Sequence, residues 1–111
     1  MNVANLFKNS STPSDREEIK RLVKSGDVRI EQIVSHGQPS PKGYWYDQPT
    51  AEWVVLLRGS ATLAMAGDGR IELVAGDFLL IPAHLKHRVE RTSKDALWLA
   101  VHFQEGPAAP G

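Results

Sequence analysis

Glu52, His87 and His102, with Asp47 and Gln48, are the side chains of this sequence whose types suit a divalent metal. Carboxylate, amide oxygen and imidazole nitrogen are donors that Zn, Fe(II), Mn or Ni accept. Glu52 begins the apolar run EWVVLL. A carboxylate turned into a core there needs an ion, or a salt bridge to an arginine such as Arg88 or Arg91. His87 closes GDFLLIPAHLKH, and His102 alternates with Trp98 and Ala100 along ALWLAVHF. A site built from two or three of these side chains leaves positions open for water or substrate. Tyr46, Trp45 and Trp98 supply aromatic walls for such a pocket, and Arg91 supplies a cation. The bland alternatives are a turn role for Asp47 in YDQP, a solvent-facing His84 after Pro82, and a solvated His36 in a polar loop.

Other chemistries find no support. The 111 residues include no cysteine, which excludes disulfides, a thiolate nucleophile, an iron–sulfur cluster and thiolate-bound zinc. No serine sits in a GxSxG elbow. GDGR, residues 67–70, reads as a hairpin turn and is too short for a phosphate loop. Thirteen basic residues balance thirteen acidic ones, so no net field draws nucleic acid or an anionic membrane. No apolar run approaches the roughly 18 residues of a membrane helix, and no signal peptide is evident, so the cytoplasm is the expected compartment.

The elements that must position these residues are mostly strands. Residues 1–13 read as a flexible arm, 14–105 as a single domain and 106–111 as a loose tail. S-D-R-E at 14–17 has capping-box form, Ile19, Leu22 and Val23 follow at helical spacing, and Gly26 suits a C-terminal cap. A short helix over 14–25 is therefore expected. From residue 27 to about 104 the period is two, broken by turn signals at Arg58-Gly59, AGDGR and Gly76-Asp77. That pattern predicts an all-β sandwich or barrel. On the last strand, Leu97, Leu99, Val101 and Phe103 form the uniformly apolar face, suited to packing between layers. If His87 faces inward, so do Val89 and Arg91.

Two fragments carry a family resemblance. Glu52 and Gly59 have the spacing E-x6-G, and Gly76, Pro82 and His87 have the spacing G-x5-P-x4-H. They resemble the second half of the first motif and most of the second motif of the cupin superfamily, over about residues 44–103. His84 and Arg91 replace that second motif's Gly and Asn. Where the first motif has His-x-His, this sequence has Trp45 and Asp47, or Tyr46 and Gln48, depending on the spacer. The resemblance implies a small antiparallel jelly-roll barrel, here preceded by the short helix. The family's usual three-His-one-Glu metal site cannot be assembled from the motif positions, and a substituted site of Glu52 and His87 with Asp47 or Gln48, with or without His102, is the alternative.

Three functions are compatible with these residues. One is a metal-dependent cupin that binds or transforms a small polar metabolite. Another is a metal-free barrel that binds or senses a small molecule, and the third is a ligand-free structural dimer. The face of Trp53, Val55 and Leu57 predicts a homodimer.

Overall fold

The computed structural model describes residues 1–8, 17–67 and 69–105. Eight strands follow one another: β1 Glu18–Ser25, β2 Val28–Val34, β3 Ala51–Arg58, β4 Ser60–Met65, β5 Gly69–Val74, β6 Phe78–Ile81, β7 His87–Thr92 and β8 Leu97–Phe103. They form two sheets, one of five strands in the order β1-β2-β8-β3-β6 and one of three in the order β5-β4-β7. Every pairing is antiparallel. The all-β jelly-roll expectation holds for the described residues.

The expected helix does not. Residues 18–25 are a strand paired along its length with β2, while residues 14–16 lie outside the described residues. Gly26 is not a helix cap. It is the first residue of a two-residue hairpin turn closed by the Ser25–Val28 pair, with φ +56°. The helix-like spacing belongs to a strand with one extra residue. Leu22 has no partner between the pairs Arg21–Glu31 and Val23–Ile30.

The core lies between the sheets, with Val54, Leu56, Trp98 and Ala100 from one side and Leu63, Met65 and Leu73 from the other. Trp98, Ala100 and His102 are thus the inward face of β8, which settles the direction of His102 that alternation leaves open between the barrel mouth and its outer surface; of the uniformly apolar set only Leu97 is buried. Leu99, Val101 and Phe103 are half-buried on the outer face. There Val23, Ile30, Val101, Trp53 and Leu80 align in one row across all five strands.

Candidate functional site

The site begins with strand register. Arg29, His102, Glu52 and Ile81 are consecutive neighbours across β2, β8, β3 and β6, and all four point inward. The adjacent inward row is Glu31, Ala100, Val54 and Leu79. Its Ala100 is small, which leaves Glu31 room to reach across to His102. The Nε2 of His102 lies 3.2 Å from Glu31 Oε1 and 3.7 Å from Glu52 Oε2. Arg29 Nε lies 3.0 Å from the other oxygen of Glu31.

His87 approaches from the opposite sheet, its Nε2 3.5 Å from Glu52 Oε1. It stands at the start of β7, and a reciprocal backbone bridge ties it to Tyr46 (Tyr46 N–H to His87 O, 2.7 Å; His87 N–H to Tyr46 O, 3.1 Å). That bridge draws the 44–48 segment beside β7. The Tyr46 ring stacks on the imidazole at 5.6 Å, and Gln48 turns into the same cavity. His84, at φ +64°, donates its N–H to the Gln48 carbonyl and fixes the turn.

These side chains line a cavity of about 260 Å³ whose remaining walls are largely apolar, including Ile33, Leu63, Val89 and Trp98. Glu17 stands at its rim, exposed on one side. Burial, then the charge of Glu52, raises its carboxyl above the usual range. For His87, burial lowers the affinity for a proton, but the hydrogen bond to Glu52, the Leu85 carbonyl and the Glu52 charge outweigh it. The imidazole consequently titrates above its ordinary value.

Of the residues singled out from the sequence, Glu52, His87, His102, Gln48, Tyr46 and Trp98 meet in this cavity. Asp47 does not line it. Its carboxylate accepts from exposed His84 Nδ1 at 2.9 Å. Trp45 lies outside as well, half-exposed beside the guanidinium of Arg88. Arg91 points away and donates to Ser60 Oγ at 3.1 Å. The cause is a bulge: β7 pairs Val89 with Leu63 and Arg91 with Thr62, so Glu90 is an extra residue and reverses the alternation beyond Val89. His36 is not solvated; its ring is largely buried and its Nε2 is 3.3 Å from Glu18. Arg29 and Glu31 escaped the sequence reading, although VRIEQIV shows them sharing one face with Ile33.

Among the described residues, no group of three His, Asp or Glu side chains forms a metal shell. An amide oxygen widens the choice, because Gln48 Oε1 is buried without a hydrogen-bond partner among the described residues. His87 Nδ1–H donates to the Leu85 carbonyl at 2.9 Å, which leaves the Nε2 lone pair of the neutral ring facing the Glu52 carboxylate. Two acceptors facing each other need a proton or a cation between them. A histidine whose other nitrogen is held by a carbonyl is the usual form of a metal ligand. His87, Glu52 and Gln48 therefore fit a cation of the O/N-preferring kind.

The sequence profile described as "Cupin domain" matches residues 30–102. A crystal structure from Ralstonia eutropha JMP134, of a protein proposed to be a mannose-6-phosphate isomerase, is 38% identical with a TM-score of 0.90, over 95% of this chain and 100% of that one. An RmlC-like cupin from Desulfovibrio desulfuricans shares the fold at a TM-score of 0.74 and 22% identity, over 93% of this chain and 96% of that one. Among curated proteins, the 3-hydroxyanthranilate 3,4-dioxygenase of Burkholderia cenocepacia is 34% identical over 71 residues, 61% of this chain and 40% of the dioxygenase. That of Cupriavidus pinatubonensis is 35% identical over 68 residues, 59% of this chain and 36% of the dioxygenase. The chain thus spans about two fifths of the length of these curated relatives.

Proposed function

The chain belongs to the cupin family, and from that premise we propose that it is a small metal-dependent cupin acting on, or binding, a small polar metabolite. His87 Nε2, a Glu52 oxygen and Gln48 Oε1 would hold the ion, with its other positions open to the metabolite. Zn, Fe(II), Mn and Ni all suit this donor set. When bound, the ion supplies Lewis acidity to an oxygen of the metabolite. The observation that carries the reading is the His87–Glu52 pair, two acceptors 3.5 Å apart with the imidazole's other nitrogen already committed.

The chain's own residues shape the ligand. Tyr46 and Trp98 give the cavity aromatic surface, and Ile33, Leu63 and Val89 give it aliphatic surface. Arg29 is the only lysine or arginine lining the cavity among the described residues, and it is paired with Glu31. Among the described residues, no side-chain cation without a partner there awaits a phosphate or carboxylate. An anionic group of the metabolite would therefore be met by the ion itself.

A second reading keeps the barrel and replaces the metal with a proton on His87, giving a binding or sensing module. The lack of a three-residue His/Asp/Glu group among the described residues favours it. Elemental analysis of untagged protein prepared without chelator, beside His87→Ala, separates the two. Near-stoichiometric metal that disappears in the variant supports the metal reading. No metal in either, even after loading with each of the four ions, removes it.

The apolar row through Trp53 on the outer face of the five-stranded sheet is the surface such a protein would bury in a homodimer.

A further inference from the structure

The two buried histidines of the cavity differ in one respect. His87 has its Nδ1–H satisfied by the Leu85 carbonyl, so its Nε2 is the free nitrogen. His102 is arranged the other way round. Its ring is almost entirely buried, its Nδ1 has no hydrogen-bond partner among the described residues, and its Nε2 faces two carboxylates at 3.2 and 3.7 Å. Carboxylates only accept, so Nε2 must carry the hydrogen. A nitrogen that carries hydrogen has no lone pair for a metal.

The geometry points to His102 as a positioning residue rather than a ligand. Its Nε2–H faces Glu31 Oε1 at 3.2 Å and stands 3.7 Å from Glu52 Oε2, so it restrains that oxygen by charge rather than by a full hydrogen bond and leaves Oε1 toward His87 and an ion. Glu31 is in turn charge-paired with Arg29, whose Nε lies 3.0 Å from its other oxygen without the alignment of a hydrogen bond. The chain Arg29–Glu31–His102–Glu52 runs through neighbouring strands and anchors the carboxylate from behind. This assignment rests on the metal reading for its consequence, but its tautomer claim stands without a metal.

Two measurements test it. In metal-free protein at alkaline pH, ¹H–¹⁵N correlation through the imidazoles reads which nitrogen carries hydrogen. Hydrogen on Nε2 of His102 and on Nδ1 of His87 is expected; hydrogen on Nδ1 of His102 overturns the proposal. In titrations with Zn²⁺ and Co²⁺, His102→Leu should weaken binding by about 10- to 100-fold, the usual effect of losing a residue behind a ligand. His102→Gln retains an N–H donor and should recover most of that loss, with the Co²⁺ visible spectrum of the parent. A changed spectrum in His102→Gln, or a loss as complete as that of His87→Ala, would make His102 a ligand and refute the assignment. If the parent binds neither ion, the metal reading fails, and the tautomers alone decide the role of His102.

Discussion

Gly59 closes the first family motif and Gly76 opens the second, yet their replacement by alanine should cost very different amounts. Both have positive φ, +87° and +96°, so each substitution carries the left-handed strain of an L-residue, about 1–2 kcal/mol. At Gly76 nothing lies within 4 Å of the added Cβ, and strain is the whole cost. At Gly59 the Cβ would run into Ser93 Oγ and come within 2.9 Å of Asp95 Oδ1 and 3.0 Å of Ala96 Cα. Ser93 Oγ accepts the Ser60 N–H at 3.0 Å, so displacing it also leaves a donor unpaired, worth about 1–3 kcal/mol. Gly59→Ala should therefore cost about 2–5 kcal/mol against about 1–2 kcal/mol for Gly76→Ala. Urea unfolding of both variants, read by tryptophan fluorescence, measures the gap. Equal midpoints would refute the claim that Gly59 is required for space as well as for backbone conformation.

Leu56 is fully buried between the sheets, and Leu56→Ala should cost about 2–5 kcal/mol in the same assay. Trp53→Glu, in the middle of the outer apolar row, should convert a dimer to monomer by light scattering at micromolar concentration; a monomeric parent would remove the dimer. His87 titrates above its ordinary 6.5 in the fold, so its protonated pairing with Glu52 stabilises metal-free protein fully below that value. The contribution should fade as pH rises through the folded value, while metal affinity rises over the same range because the proton must leave His87. Thermal melts of metal-free protein and zinc titrations across pH 5–9 check both directions, and His87→Gln should flatten both curves.

The barrel was legible because alternation and Gly-Asp turns are local. The motif glycines and His87 were legible for the same reason. What the sequence concealed depends on register. The extra residue at Leu22 imitates helical spacing, and only pairing with β2 exposes it. The extra residue at Glu90 turns Arg91 outward, although counting by two from His87 puts it inside. On β8, alternation left the direction of His102 open: the inner face carries it because Glu31 and Glu52 stand beside it, and the outer one is apolar across neighbouring strands. Glu31 and Arg29 were visible as one face of β2, but its opposite face offers Val28 and Ile30, and alternation alone does not say which side goes in.

The central claim is a metal held by one imidazole and oxygen donors. X-ray absorption on cobalt-loaded protein tests it most directly, because imidazole scattering counts the histidines bound to the ion. One imidazole in an otherwise oxygen shell, lost in His87→Ala, is the predicted result. A shell with two or more imidazoles, or the parent's unchanged spectrum in His87→Ala, would contradict it.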